Sequence, residues 1–189
     1  MGKCKTRLAA TVGDEAALKV YLFLLKHTIS ITEDLPVVKQ VHYSVKVRPN
    51  DLWNEATFIK KQQIGDDLGI RMHRAFQQGF EDGYKRIIII GSDMFDLDQQ
   101  DLEEAFSALN TNDFVIGPAE DGGYYLLGMR SLKAELFQHK NWGTSSVLKD
   151  TLSNLKNENL HLLQQKNDID HYEDIKGIEV FQQFLNPLK

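Results

Sequence analysis

The stretch that indicates the fold most clearly is Arg86-Ile87-Ile88-Ile89-Ile90-Gly91-Ser92-Asp93. Four consecutive isoleucines predict a short strand that is buried on both faces, as in a parallel sheet covered by helices. Ligands of open α/β sheets bind in the crevice outside the carboxyl ends of the strands. Asp93 lies at such an end, where it either caps a turn or takes part in binding a metal ion or a phosphate.

Composition and charge narrow the class of protein. A chain of 189 residues, 42% hydrophobic and 26% charged, is typical of one soluble globular domain, which we expect to span residues 1–189. The net charge of −5 argues against a nucleic-acid-binding protein. No apolar run reaches the roughly 18–20 residues that span a bilayer. The N-terminus lacks the apolar core of a signal peptide, and the single cysteine, Cys4, fits a reducing compartment. We therefore expect a cytoplasmic protein.

Hydrophobic periodicity predicts strands alternating with helices, which is typical of an α/β fold. The predicted helices cover 14–29, 68–80 and 99–109, with others starting near 145 and 171. The predicted strands are 37–47, 57–63, 87–90, 113–117, 124–129 and 160–164. The connection between 117 and 124 is too short for a parallel crossover, so one antiparallel pairing is expected there. The prediction is a three-layer α/β/α, Rossmann-like fold with a mixed, mostly parallel sheet.

The N-terminal segment carries three cations and a hydroxyl behind a glycine. It reads Gly2-Lys3-Cys4-Lys5-Thr6-Arg7-Leu8. Glycine permits close backbone approach, while Lys and Arg bind phosphate oxygens. The order of a Walker A loop is absent. The segment is therefore either a phosphate-binding loop or a solvated basic tail.

Residues 63–72 place glycines and carboxylates just before a predicted helix. Asp66 is interpreted as the cap of that helix. Gly69 falls inside the first helical turn, where glycine lowers helix stability. We therefore expect close packing or a ligand at Gly69.

Residues 117–128 give the densest motif, with Asp121 before the pair Gly122-Gly123 and then Tyr124. A hairpin turn alone would explain Asp-Gly. The second glycine and the aromatic strand that follows exceed what a turn needs. The glycines would leave room for a sugar or nucleotide.

Two later loops carry further candidates. Thr144 either caps a helix or faces a ligand, and Trp142 either packs in the core or stacks on a ring. Asp170 and Glu173 have the spacing of a capping box, whereas Asp168 has no evident structural task. No zinc-type His or Cys spacing is present in the sequence. Carboxylate ligands alone suit Mg²⁺ or Mn²⁺.

Taken in order, these segments resemble a bacterial family of proposed glycosyltransferases with the nucleotide-diphospho-sugar transferase (GT-A-type) fold. That family is related to molybdenum-cofactor guanylyltransferase and 2-phospholactate guanylyltransferase. The most specific part of the match is Gly117-Pro118-Ala119-x-Asp121-Gly122-Gly123-Tyr124-Tyr125. The matching blocks are 2–8, 63–72, 91–93, 117–128, 142–144 and 168–170.

The resemblance implies a role for each motif. A nucleotide would bind over the N-terminal half of the sheet, with Lys5 and Arg7 at its phosphates and Asp93 holding the divalent cation. The implied catalytic residues are Asp93 and Asp121. The implied nucleotide-binding residues are Gly2, Lys5, Thr6, Arg7, Asp67, Gly69 and Arg71. The implied substrate-binding residues are Gly122, Gly123, Tyr124, Trp142 and Thr144. The implied metal ligands are Asp93, Asp168 and Asp170.

The chain departs from the family pattern at two places. The family opens with an apolar strand and a Pro-Gly pair before the Lys-Thr-Arg segment, and that first strand is missing here. Either the start is truncated or another segment fills the gap in the sheet. The position two residues after Asp93 is commonly proline in the family and is Phe95 in this chain.

The leading functional hypothesis is an Mg²⁺- or Mn²⁺-dependent transferase that uses a nucleotide sugar and an acceptor. One alternative is nucleotidyl transfer from an NTP to a phosphorylated small molecule, which would release pyrophosphate. Another is a non-catalytic nucleotide-binding protein. The expected partners are a nucleotide or nucleotide sugar and an acceptor, with no nucleic acid and no membrane span. The expected assembly is a monomer or homodimer.

Overall fold

The computed structural model describes residues 5–185. Gly2 and Cys4, which the sequence singled out, lie outside this range. The described chain alternates strands and helices as predicted. The helices are α1 (Thr6–Val12), α2 (Asp14–Thr32), α3 (Leu68–Glu81), α4 (Gln99–Ala108), α5 (Val147–Asn154) and α6 (Glu179–Leu185). The strands are β1 (Lys39–Tyr43), β2 (Phe58–Gln62), β3 (Ile87–Ile90), β4 (Phe114–Pro118), β5 (Tyr124–Met129) and β6 (Leu160–Leu162).

The larger sheet has the strand order β3-β5-β4-β6. Strand β5 is antiparallel to both β3 and β4, whereas β4 and β6 are parallel. Strands β3, β4 and β6 therefore run in one direction and β5 alone runs in the other. The antiparallel pairing predicted across the short connection is confirmed, as is the mixed sheet. Strands β1 and β2 form a separate parallel pair.

Helices cover both faces of this sheet, as predicted. Ile88 and Ile90 pack into a core that includes Leu102 from α4, whereas Ile87 and Ile89 pack on the opposite face against a core that includes Phe76 from α3. Each isoleucine is nevertheless only half-buried, because β3 is an edge strand that pairs with β5 alone. The prediction of complete burial is therefore wrong for this strand.

The expected gap in the sheet is visible among the described residues. Strand β1 pairs only with β2, and β3 pairs only with β5, so each has one hydrogen-bonding edge that no strand within 5–185 occupies. No other described segment takes the place of the family's first strand. The six strands within residues 5–185 form one sheet of two strands and one of four.

A third core ties the two ends of the described chain together. Leu8 of α1 is fully buried with Ile169 and with Phe181 of α6. The described part of the basic segment, residues 5–8, therefore leads into a short helix anchored in a core, and the interpretation as a solvated tail is wrong for these residues. Phe95 joins the same core, with its ring centroid 5.0 Å from that of Phe181 and 6.0 Å from that of Phe23. These ring contacts explain why an aromatic residue fits where the family commonly has proline.

No helix within residues 5–185 combines the length and the apolar character that crossing a bilayer requires.

Candidate functional site

The carboxyl ends of β3, β4 and β6 lie at one edge of the sheet because the three strands run in the same direction. The loops that follow them are joined by backbone hydrogen bonds. The N–H of Ile169 donates to the carbonyl of Asp93 at 3.1 Å, and the N–H of Glu120 donates to the carbonyl of Lys166 at 3.0 Å. These bonds bring together the carboxylates of three separate loops, namely Asp93, Asp121, Asp168 and Asp170.

Helix α1 and the residue directly before it supply two cations to these carboxylates. Lys5 Nζ lies 2.8 Å from Oδ2 of Asp93 and 3.7 Å from Oδ1 of Asp170. Arg7 Nη1 lies 2.6 Å from Oδ2 of Asp170. The Lys5 side chain is only 7% exposed, whereas that of Arg7 is 63% exposed. Lys5 is therefore a buried ion-pair partner, and Arg7 is open to a ligand from solvent.

Two clefts meet at these residues. The first cleft has a volume of about 520 Å³ and is lined by Lys5, Thr6, Arg7, Tyr21, Asp93 and Asp170. The second cleft has a volume of about 240 Å³, and its lining includes Arg7, Asp121, Asp168 and Asp170. Because Arg7 and Asp170 line both clefts, a ligand in one would lie next to a ligand in the other.

Negative charge exceeds positive charge in the clefts. Burial raises the pKa of Asp168, and the nearby charges of Asp93 and Asp121 raise it further. The two clefts are lined by two cations, Lys5 and Arg7, and by six carboxylates, namely Asp93, Glu120, Asp121, Asp168, Asp170 and Asp174. A ligand carrying several negative charges would therefore bind here only with additional cations to balance the carboxylates.

The described carboxylates of the two clefts do not form a complete metal site on their own. Among residues 5–185, no group of three carboxylate, imidazole or thiol side chains is placed to hold a metal ion. Asp93 and Asp170 do face a common cation, which is the Lys5 ammonium. Mg²⁺ is commonly bound by one or two carboxylates together with substrate phosphates. The side chains therefore fit a metal ion that binds together with phosphates better than one held by protein ligands alone.

Asp170 is available to Arg7 because a different residue caps the next turn. The predicted capping box of Asp170 and Glu173 is wrong. His171 and Asp174 form the box instead, at the start of a 3-10 helix over Tyr172–Asp174. Burial alone would raise the pKa of Asp174, but N–H donors from His171 and Asp170 and the Asn167 amide outweigh burial and lower it.

The residues at the start of α3 that the resemblance assigns to nucleotide binding make structural contacts within the protein. Asp67, not Asp66, caps the helix by accepting the N–H of Ile70 at 2.8 Å. Arg71 donates from Nε to the carbonyl of Gly65 at 2.9 Å. A Cβ on Gly69 would lie 2.5 Å from Nε1 of Trp142. Close packing by Trp142 therefore explains this glycine, and Asp67, Gly69, Arg71 and Trp142 do not line either cleft.

The Gly-Gly turn packs against the start of α5. Gly122 has φ +88°, and a Cβ there would lie 2.6 Å from Cα of Ser145. The N–H of Gly123 donates to Oδ1 of Asp121 at 2.7 Å, which closes the turn. The Asp121 residue is exposed, so the turn presents its side chain at the edge of the second cleft.

Tyr124 and Thr144 also make contacts within the protein. The hydroxyl of Tyr124 lies 3.9 Å from Sδ of Met72 in α3. Thr144 donates to the carbonyl of Asn141 at 2.8 Å. The residue before α5 is Ser146, which makes no side-chain cap, so the interpretation of Thr144 as the cap of this helix is wrong.

Sequence reasoning missed several residues that line the clefts. Tyr21 has the helical spacing of the apolar residues of α2 and was not singled out, yet it lines the first cleft. Asn167 and His171 line the second cleft. Their positions beside Asp168 and Asp170 are the signal that could have indicated them.

The comparisons with known proteins agree with this architecture. A crystal structure from Desulfovibrio desulfuricans G20, named as a "putative nucleotide-diphospho-sugar transferase", is 32% identical to this chain. The match covers 90% of this chain and 77% of that one, with a TM-score of 0.81. No curated protein matches the sequence.

A more distant structure supports the fold alone. It is the Mycobacterium sp. strain JC1 homolog of Mycobacterium tuberculosis rv0371c, which is 12% identical to this chain with a TM-score of 0.53. That match covers 85% of this chain and 82% of the other. The nucleotide-diphospho-sugar transferase fold expected from the sequence is confirmed by the D. desulfuricans structure.

A family model, described as "Uncharacterized protein conserved in bacteria (DUF2064)", matches residues 25–144. This match spans more than half of the chain and includes Asp93, Asp121 and the Gly-Gly turn. The chain therefore belongs to the DUF2064 family.

Proposed function

We propose that this protein is a divalent-metal-dependent transferase that uses a nucleotide sugar. The observation that carries the proposal is the pairing of Lys5 and Arg7 on α1 with Asp93 and Asp170 at the carboxyl ends of the strands. Cations and carboxylates in one cleft are what a metal–diphosphate complex requires, because the carboxylates bind the metal and the cations bind the phosphates. The name of the D. desulfuricans structure supports the same class of reaction.

The first cleft is proposed to take the diphosphate. Arg7 is exposed and can form a bidentate contact with phosphate oxygens, while Lys5 supplies a point charge. Asp93 and Asp170 would hold Mg²⁺ or Mn²⁺ together with the phosphate oxygens. Asp168, the third ligand implied by the resemblance, lines the second cleft and would lie beside the ion. When bound, that ion would neutralise charge on the departing diphosphate. Thr6 lines the same cleft and can donate its hydroxyl to a phosphate.

The second cleft is proposed to take the acceptor. Asp121 lies at its edge and is the candidate general base for an acceptor hydroxyl. The Gly122-Gly123 turn holds Asp121 there and leaves its surroundings open. We assign Tyr124, Trp142 and Thr144 to the walls around this turn, which contact α3 or the loop before α5.

The start of α3 is proposed to lie beside the nucleotide, where its residues would hold the loop in shape without contacting the ligand. Asp67 and Arg71 fix the loop before the helix, and Gly69 admits Trp142 against it. Changes at these positions should therefore alter nucleotide affinity through the shape of the loop.

The test is a ligand screen followed by product analysis. Thermal unfolding would be measured with Mg²⁺ or Mn²⁺ and panels of NTPs and nucleotide sugars, and the released products would then be identified. We expect stabilisation by a nucleotide sugar with metal, and release of a nucleoside diphosphate. Asp93→Asn should weaken metal-dependent binding at least about tenfold, because a charged ligand is lost. Asp113→Asn, at the amino end of β4, is the matched control and should bind normally.

Each other outcome has a distinct meaning. Pyrophosphate released from an NTP would replace the proposal with nucleotidyl transfer. Tight metal-dependent nucleotide binding without any product would indicate a non-catalytic binding protein. No stabilisation by any nucleotide would contradict both enzymatic hypotheses.

A further inference from the structure

The Lys5 ammonium lies between two carboxylates, where a bound cation would be expected. Its Nζ atom is 2.8 Å from Asp93 and 3.7 Å from Asp170. The side chain is 7% exposed, so solvent screens these charges weakly. The Lys5 ammonium therefore supplies one positive charge to the carboxylates of Asp93 and Asp170.

The backbone fixes Lys5 in this position. Lys5 has φ 47° and ψ 51°, a left-handed conformation that is uncommon for a residue other than glycine. It directly precedes α1, and the fully buried Leu8 anchors that helix in the third core. A residue held in such a conformation by surrounding packing often marks a functional constraint. The ion pair therefore reflects the placement of α1, not the chance sampling of a long side chain.

We propose that Lys5 keeps divalent metal out of the ligand-free site, so that metal and diphosphate bind only together. This inference rests on the proposed function and concerns how the same site is loaded. A second cation beside Asp93 would be repelled by the Lys5 ammonium. Phosphate oxygens give the ammonium new partners, so Lys5 can leave Asp93 when a diphosphate enters. The oxygens of Asp93 then become free for a metal ion.

The consequence is a coupling between two ligands. If Lys5 blocks metal in the absence of phosphate, metal must tighten diphosphate binding and diphosphate must tighten metal binding by the same factor. Arg7 does not share this blocking role, because within residues 5–185 its ion pair is with Asp170 and its side chain lies largely in solvent.

The test uses Mn²⁺ as the metal probe and UDP and GDP as the diphosphate probes. Binding of Mn²⁺ alone is followed by electron paramagnetic resonance, and binding of UDP and GDP by equilibrium dialysis with and without Mn²⁺. Lys5→Met removes the charge, Lys5→Arg keeps it, and Lys19→Met removes an exposed lysine that pairs with Glu15 on α2. We expect Lys5→Met to bind Mn²⁺ alone about tenfold more tightly or better, which is within the usual range of coupling between sites. Lys19→Met should resemble the wild type, and Lys5→Arg, which keeps the charge, should bind Mn²⁺ alone as weakly as the wild type.

Unchanged Mn²⁺ affinity in a folded Lys5→Met variant would overturn the inference. If that variant does not fold, the wild-type protein still tests the inference. Equal affinity for UDP and GDP with and without Mn²⁺ would also overturn it. Failure of the proposed function is a different result, in which neither UDP nor GDP binds the wild type under any condition. In that case a gain of Mn²⁺ affinity in Lys5→Met would still support metal exclusion by Lys5.

Discussion

Arg7 is well placed to contact the proposed ligand, because its guanidinium is exposed and its one described partner is Asp170. We expect Arg7→Ala to weaken binding of a metal–diphosphate complex about 10- to 100-fold, since hydrogen bonds to charged groups contribute about 1.5–3 kcal/mol. The free energy of unfolding should change by less than about 1 kcal/mol, because exposed ion pairs contribute little. Calorimetric titration and urea unfolding measure the two quantities.

Arg130→Ala is the control for this prediction. Arg130 is also half-exposed and faces a carboxylate, Asp113, at 4.0 Å, but it lies at the opposite end of the strands. Equal loss of ligand affinity in both variants would contradict a specific role for Arg7.

Gly122 is required by backbone geometry. Its φ of +88° and the nearby backbone of Ser145 leave no room for a side chain. We expect Gly122→Ala to destabilise the protein by about 2–4 kcal/mol, from the strained backbone together with the clash. Gly143 has φ +78°, but a Cβ there would meet nothing within 4 Å, so Gly143→Ala should lose only about 1–2 kcal/mol. Urea unfolding of both variants measures the difference, and equal losses would show that contact with Ser145 is unimportant.

At the scale of single elements, the loop between β1 and β2 is held by one buried lysine. Lys60 on β2 pairs with Asp51 at 3.0 Å, and the hydroxyl of Tyr43 donates to the same carboxylate at 2.6 Å. Burial alone would raise the pKa of Asp51, but the hydrogen bonds from Tyr43, Lys60 and the N–H of Trp53 outweigh burial and lower it. The ionised carboxylate therefore stabilises the folded loop.

This lowered pKa gives a pH dependence with a definite sign. A lowered folded-state pKa contributes stability above the unfolded-state value of about 3.9, and that contribution is lost as the pH falls through the folded-state value. Asp51→Asn should therefore be less stable than wild type at about pH 7, with a smaller difference at about pH 3. Urea unfolding at the two pH values measures this. A difference that stays constant with pH would contradict the role of the charge.

Elements with a strong local pattern were predictable, and those that depend on distant partners were not. Strand β5 has the predicted limits, 124–129, because its apolar run is bounded by glycines and charges. Helix α1 was not predicted, because only seven residues form it and its stability comes from burying Leu8 against the other end of the chain. The cap at Asp174 was displaced by one residue because two backbone N–H groups converge on that carboxylate.

In the whole molecule, the residues of the candidate site were predictable from local motifs, but their contacts across the chain were not. The sequence indicated Asp93, Asp168 and Lys5 as separate motifs. The shared direction of β3 and β6 explains why the two carboxylates lie at the same edge of the sheet. The sequence did not indicate that Lys5 pairs with Asp93, because the two residues are 88 positions apart and helix α1, which places Lys5, has no clear local pattern. Burial of the Ile87–Ile90 strand was overestimated because the sequence does not show which strands flank it.

The third core links the two chain ends to the site, which predicts that packing and binding are coupled there. Leu8→Ala should destabilise the protein by about 2–5 kcal/mol and should also weaken diphosphate binding, because Leu8 anchors the helix that carries Lys5 and Arg7. Leu136→Ala removes an equally buried leucine from the core under α3. It should lose similar stability without loss of affinity, measured at a temperature where both variants are folded. Equal affinities in the two variants would contradict the coupling.

Transfer from a nucleotide sugar with the aid of a divalent metal is the central proposal for this protein. The most direct measurement is phosphorus NMR of a panel of nucleotide sugars and a panel of NTPs, each incubated with the protein, Mg²⁺ or Mn²⁺ and a mixture of acceptor alcohols, so that the sugar can pass to an acceptor or to water. We expect metal-dependent appearance of a nucleoside diphosphate with the wild type and its loss in Asp93→Asn. Intact nucleotide sugars together with pyrophosphate formed from an NTP would contradict it.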